Sequence, residues 1–188
     1  MDPYFLKTEY YSNSMFSKIA AEMNGNPLPE RDASFFKTGN KFEDSLLYKK
    51  PSEDRMIRAM VRETNKNTTF AKIFSDPRLK IQHEFYGKFM GLPFKAKADM
   101  VIKGFIVPDI KSTSCNNQDQ FYKSIVEYNY DRQMYIYMEV FKCPLSCLIG
   151  VSKSMNPKLF IVPIEKGSYL WNTGKEKTES IVSIIKSL

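Results

Sequence analysis

The spacing of hydrophobic positions changes once along this chain of 188 residues, near Pro77. Before it, apolar residues recur every three to four positions. Met15, Ile19 and Met23, with Phe16 and Ala20 beside them, form the stripe of a first helix that Ser12 or Ser14 can cap. Asn24-Gly25 ends it, and Asn26-Pro27-Leu28-Pro29 reads as a loop. A second helix, from about Ser34 to Tyr48, presents Phe42, Leu46 and Leu47 until Pro51 breaks the pattern. Ser52 is the expected cap of a third, with Glu53 and Asp54 in its first turn and a stripe of Met56, Ile57, Met60 and Val61. A short helical piece covers Phe70 to Phe74.

After Pro77 the period falls to two. Leu79 to Met90 reads as a strand and Gly91-Leu92-Pro93 as a turn. Phe94, Ala96, Ala98, Met100 and Ile102 alternate with Lys95, Lys97, Asp99, Val101 and Lys103, which predicts a strand with one apolar and one polar face. Gly104 turns the chain into a third strand, Phe105 to Lys111. A helical period without strong breakers then predicts one long helix from Gln118 to about Lys142. Strands are expected near Cys147 to Lys153 and Lys158 to Ile164, and a last helix from about Lys175 to Ser187. Helices, three strands, a long helix, two strands and a helix make an α/β sandwich, a mixed sheet flanked by helices. The length fits one domain over 1–188, with 1–76 mainly helical and 77–188 holding the sheet.

Composition narrows the function classes. The charged and apolar fractions, 26% and 43%, are those of an ordinary folded domain, so disorder is not expected as the main state. Three cysteines argue against a disulfide scaffold and for a reducing compartment, the cytoplasm. The opening residues do not read as a signal peptide, and no apolar run reaches the ~20 residues of a membrane span, so no membrane partner is expected. The net charge of +7 fits a polyanion partner, though a basic protein with no special partner has the same charge.

The chemistry concentrates in residues 95–114, KAKADMVIKGFIVPDIKSTS. Asp109 and Lys111 face one side of a strand and Ile110 the other. If the two strands pair symmetrically about Gly104, through an odd-length turn of three residues with a bulge at the glycine, Asp99 lies directly opposite Asp109. Two carboxylates that close repel unless a proton or a cation joins them. Oxygen donors suit Mg²⁺ or Mn²⁺, and an ion there would polarise a phosphate oxygen and activate a water. Lys111 could orient or deprotonate that water, or stabilise the charge that develops on phosphorus. A surface salt bridge among Asp99, Asp109 and Lys111 accounts for the same spacing equally well.

Pro108-Asp109-Ile110-Lys111 followed by Ser112-Thr113-Ser114, with Asp99 ten residues earlier, resembles the PD-(D/E)XK nuclease superfamily. Further pieces occur in that superfamily's order. Gly39-Asn40-Lys41-Phe42-Glu43 resembles the GxxxE helix signature of lambda-type phage exonucleases, where RecB-like relatives often carry His in place of the Glu. Gln133-Met134-Tyr135-Ile136-Tyr137 resembles the QxxxY motif of the RecB-like branch, and YSNSMFSKI at 11–19 is similar to the start of RecE-type phage proteins.

The resemblance implies a restriction-endonuclease-like core and a metal-dependent deoxyribonuclease, most simply an exonuclease acting on DNA ends in phage or mobile-element recombination. It implies Asp99, Asp109, Glu43 and the Ile110 carbonyl as ligands of Mg²⁺ or Mn²⁺, and Lys111 as the catalytic lysine. Glu84 is a further candidate ligand, direct or through water. His83 reads as an ordinary strand residue. Gln133 and Tyr137, one helical turn apart, would line the site or contact DNA. Lys95, Lys97 and Lys103 by strand parity, Lys41 and Lys37 beside Glu43, Arg132, Thr113 and Ser114 are the candidate DNA contacts. A recombination annealing protein and a homo-oligomer are the partners implied besides DNA, and the cytoplasm of a bacterial host the place. Three cysteines do not make a four-cysteine iron–sulfur site. The competing classes are a catalytically weak or inactive nucleic-acid-binding protein that keeps the fold, and an inhibitor of a nuclease.

Overall fold

The change of period at Pro77 divides helices from strands. In the computed structural model, which describes residues 9–23, 25 and 33–187, four helices come first. They are α1 (Asn13–Met23), α2 (Ala33–Leu47), α3 (Arg55–Lys66) and α4 (Thr68–Phe74). The loop expected at 26–29 lies outside the described residues. In α1 the buried anchor is Phe16, packed edge-on against Phe94 at 5.3 Å, whereas Met23 is exposed. The cap of α3 is Asp54, not Ser52. Its Oδ1 accepts from the N–H groups of Met56 and Ile57 at 2.8 and 3.3 Å, so Glu53 and Asp54 precede the first turn. Ser52 holds Asp54 in place instead, its Oγ accepting from the Asp54 N–H at 3.3 Å.

Strands β1 (Lys80–Phe89) and β2 (Leu92–Val101) form an antiparallel hairpin. Its turn is Met90-Gly91, both at positive φ (49° and 84°), so Leu92 and Pro93 belong to the strand rather than to the turn. A two-residue turn of that hand matches the twist of the strands it joins. β3 (Ile106–Thr113) runs parallel to β4 (Leu145–Ser152), and β5 (Leu159–Glu165) pairs antiparallel with β4. The mixed sheet lies between two apolar layers. Phe42, Leu46, Ile57, Met60 and Phe70 of α2 to α4 pack on one side with Ile110, Ile149 and Val151. On the other side Phe16, Phe121, Met134 and Ile181 pack with Phe94, Ala96, Val107 and Leu148.

The connection from β3 to β4 is two helices, α5 (Gln118–Glu127) and α6 (Tyr130–Phe141), not one. Asn129 breaks it with a φ of 57°, a left-handed conformation that asparagine tolerates better than most residues. The last helix, α7 (Tyr169–Ser187), begins six residues before its expected start. Ser168 Oγ accepts from the Trp171 N–H at 3.4 Å, and Leu170 and Trp171 are buried at once. Gly174 lies where α7 meets α6, since a Cβ there would come within 2.4 Å of the Asp131 carbonyl oxygen. No helix among the described residues is long and apolar enough to cross a membrane. All three cysteines are free thiols.

Candidate active site

The turn after β2 is the three-residue Lys103-Gly104-Phe105, with Gly104 at a φ of 76°. Ile102 and Ile106 close it with paired backbone hydrogen bonds of 2.9 and 3.0 Å. Beyond that bridge the strands part: β2 stays with β1, and β3 joins β4. Asp99 and Asp109 are therefore not ladder partners, as symmetric pairing had suggested. Asp99 instead spans the parting, its Oδ2 accepting from the Ile110 N–H at 3.2 Å. A carboxylate thus stands where a continuous sheet would offer a main-chain carbonyl.

Asp109 is 1% exposed and faces α6. The Lys111 Nζ lies 2.6 Å from its Oδ2 and 4.9 Å from the centre of the Tyr130 ring. Gln133 Nε2 donates to Asp109 Oδ1 at 3.4 Å and to the Tyr137 hydroxyl at 3.1 Å. The Tyr137 hydroxyl donates to the Lys97 carbonyl at 2.7 Å. The break at Asn129 has a purpose in this arrangement. It lets α6 start afresh with Tyr130, Gln133 and Tyr137 on the face toward the carboxylates. Gln133 and Tyr137 then tie β2 to β3 just where the sheet has parted.

Glu43 arrives from α2. The glycine one turn earlier, Gly39, is where that helix comes closest to β3, since a Cβ there would meet Ser112 Oγ at 3.2 Å. Phe42 anchors the helix in the core and Glu43 turns toward the cleft. Gln82 of β1 meets it there: Gln82 Nε2 donates to Glu43 Oε1 and, at 3.3 Å, to Asp99 Oδ1. Nothing in the strand pattern singles out Gln82. Its mark is structural, a φ of 49° inside a strand. Glu84, two residues on, has contacts with Tyr86 and Lys97. Its Oε2 accepts from the Tyr86 hydroxyl at 2.9 Å and its Oε1 is 3.7 Å from Lys97 Nζ. His83 points the other way, its ring 5.7 Å from that of Phe141.

Burial, then the nearby Asp109 and Glu43, pushes the Asp99 carboxyl well above its ordinary range. Burial and Asp109 raise Glu43 likewise. Burial alone would lower Lys111, but Asp109 and Asp99 beside it outweigh that and hold the ammonium charged. The group is short of positive charge, and its hard oxygen donors suit Mg²⁺ or Mn²⁺. Asp99, Asp109 and Glu43 are thus a chemically fitting donor set. Among the described residues no three carboxylate, imidazole or thiol groups yet converge on one point. Lys111, the Gln82 and Gln133 amides and the Ile110 N–H are among the partners of these acids.

The candidate DNA contacts divide. Lys37, Lys41, Lys103 and Ser114 are exposed, and Thr113 is half-buried with its Oγ1 accepting from the Cys115 N–H at 3.1 Å. Lys97 is ion-paired with Glu84. Lys95, at 5% exposure, and Arg132, at 2%, are buried rather than presented to solvent. Arg132 reaches α1, donating to Asn13 Oδ1 at 2.9 Å, to the Asn13 carbonyl at 3.2 Å and to Ser17 Oγ. Helical neighbourhood placed Arg132 beside Gln133, but the next position on a helix points about 100° away.

Residues 12–187 match the model of the "PDDEXK-like domain of unknown function (DUF3799)". No curated protein matches the chain. Among solved structures, a candidate exonuclease from Eubacterium rectale superposes with a TM-score of 0.69 at 15% identity, over 96% of this chain and 80% of that one. At that identity the likeness is one of fold. A phage-related exonuclease from Haemophilus somnus (TM-score 0.48, 13% identity, 95% and 94% covered) is also similar. So is an alkaline exonuclease from Laribacter hongkongensis (TM-score 0.48, 10% identity, 100% and 93% covered).

Proposed function

This chain belongs to the PDDEXK-like domain family, and from that premise we propose that it is a divalent-metal-dependent deoxyribonuclease that degrades DNA from its ends. The observation that carries the reading is a chain of contacts where β2 and β3 part: Gln82 joins Glu43 to Asp99, Asp99 accepts from the Ile110 N–H, and Lys111 pairs with Asp109. A surface salt bridge needs none of this: Asp109 is buried, and α2 and α6 each commit side chains to the group.

Asp99, Asp109, Glu43 and the Ile110 carbonyl are the proposed ligands. A bound Mg²⁺ or Mn²⁺ would supply charge neutralisation, polarisation of a phosphate oxygen and an activated water. The residues do the rest. Lys111, kept protonated by Asp109 and Asp99, acts as a cation and hydrogen-bond donor. It orients the attacking water and offsets charge developing on the phosphorus oxygens. Gln133 fixes the Asp109 carboxylate and, through Tyr137, the separation of the two strands. Lys41, Lys37 and Lys103 offer backbone-positioning contacts to phosphate.

Gly39 with Glu43, and Gln133 with Tyr137, support the narrower assignment to the RecB and lambda-exonuclease branch, with RecE-type phage exonucleases as the model. On that assignment the products carry 5′-phosphates and the cellular setting is recombination in a bacterial cytoplasm. A ring of copies or an annealing protein would then supply processivity. The test is cleavage of end-labelled linear DNA beside covalently closed circular DNA, with Mg²⁺, Mn²⁺ or EDTA. Metal-dependent loss of linear DNA with the circle intact is the expected result. Equal cleavage of the circle would make the protein an endonuclease. Tight, salt-sensitive binding without cleavage under either metal would replace the enzyme with a binding protein.

A further inference from the structure

The starting point is Gln82, and the inference rests on the metal-dependent reading above, which it deepens. Gln82 stands in the interior of β1 with its backbone at a φ of 49°. Residues with a Cβ rarely adopt that region, and a strand supplies no local reason for it. The β1–β2 ladder runs from Ile81↔Met100 to His83↔Ala98 and passes over the position where Gln82 would face Asp99. The faces of β2 exchange there too. Phe94, Ala96 and Ala98 pack in one layer, but Met100 packs in the other, against the unbroken alternation of the sequence.

The distorted backbone places one nitrogen between two carboxylates. An amide nitrogen carries two hydrogens. Gln82 Nε2 donates one to Glu43 Oε1 and the other to Asp99 Oδ1 at 3.3 Å. The acceptors come from α2 and β2, elements distant in sequence. Two acids that share one donor repel each other, and without that donor nothing in this pair of contacts would hold them side by side. Strained backbone of this kind persists only where its surroundings hold it, and such positions cluster at functional sites.

We propose that Gln82 is a positioning residue that assembles the ion site in advance: its amide holds Glu43 and Asp99 together so that a divalent cation meets both at once. A bound cation would take the place of the amide hydrogens as the partner of those oxygens. Gln82 touches neither the phosphate nor the water.

The test separates the amide from the strain. Gln82→Gly adopts a positive φ without cost and removes the amide, whereas Gln82→Ala removes the amide and keeps the strain. Free Mn²⁺ is counted by electron paramagnetic resonance as the full chain is titrated without DNA, beside wild type and Asp109→Ala. Wild type is expected to bind, Asp109→Ala to lose binding, and both Gln82 variants to bind about tenfold more weakly, the scale typical of groups that orient metal ligands. The glycine variant is expected to be the more stable of the two, so a loss of affinity shared by both belongs to the amide. Gln82→Gly binding Mn²⁺ as tightly as wild type overturns the inference while leaving the metal site standing. Wild type that binds no Mn²⁺, or Asp109→Ala that binds as wild type does, overturns the metal site and the inference with it.

Discussion

Asp99 makes its own stability prediction. Burial and its acidic neighbours raise it well above the ordinary 3.8, and Glu43 rises above 4.5. Between the ordinary and the raised values the folded chain holds protons that the unfolded chain has released. By linkage the two groups therefore favour folding at the acid end of that window, and their contribution is lost as pH rises through it. Denaturant unfolding in EDTA at several pH values should show this decline, with a smaller slope for Asp99→Asn. An equal slope in that variant would mean that Asp99 is not charged at the expense of the fold. Among the single residues, Asp109 and Lys111 were legible because a strand has only two faces and the pair sits two apart. Glu43 was legible only through its spacing from Gly39. Gln82 was not legible at all, since a backbone in the left-handed region leaves no trace in an alternating pattern. Glu84 is a candidate because it is an acid on the same strand, and the neighbours its side chain meets, Tyr86 and Lys97, are set by the fold.

At the scale of elements, periodicity found the helices and strands but not their joints. The helix expected from Gln118 to Lys142 divides at Asn129, because the gain lies in re-aiming α6 at the carboxylates, a tertiary effect that local propensity does not contain. The start of α7 was missed for the same kind of reason. Leu170 and Trp171 are helical because they bury against the core, and Gly174 is kept small by the backbone of α6. Arg132 belongs to this scale as well. It reaches from α6 to Asn13 and Ser17 of α1 rather than to a ligand, and burial lowers its guanidinium to about 10. Arg132→Ala should therefore destabilise the fold by about 1.5–3 kcal/mol, the value of hydrogen bonds to a charged group. DNA affinity of the folded protein should stay unchanged in a filter-binding assay. Reduced affinity with unchanged stability would return Arg132 to the DNA-binding surface.

Over the whole molecule, the order of elements predicted the layered architecture, a mixed sheet between helices, because each apolar face must find another. What the order did not contain is the parting of β2 from β3. That parting makes the site. A continuous ladder would spend the Ile110 N–H on a main-chain carbonyl, whereas the open one gives it to Asp99 and leaves room for Glu43 and Gln133 to enter from opposite layers. The account therefore stands on these residues acting as one catalytic unit. Lys111 tests it most directly, since its Nζ is 2.6 Å from Asp109 and it is the cation that the account sets against the charge developing on phosphorus. The measurement is cleavage of linear double-stranded DNA in Mg²⁺ by Lys111→Ala against wild type, with folding of the variant verified by its unfolding transition. The account predicts that the folded variant loses cleavage by at least about a hundredfold, the low end for losing a group that stabilises transition-state charge. A folded Lys111→Ala protein that cleaves at the wild-type rate would contradict it.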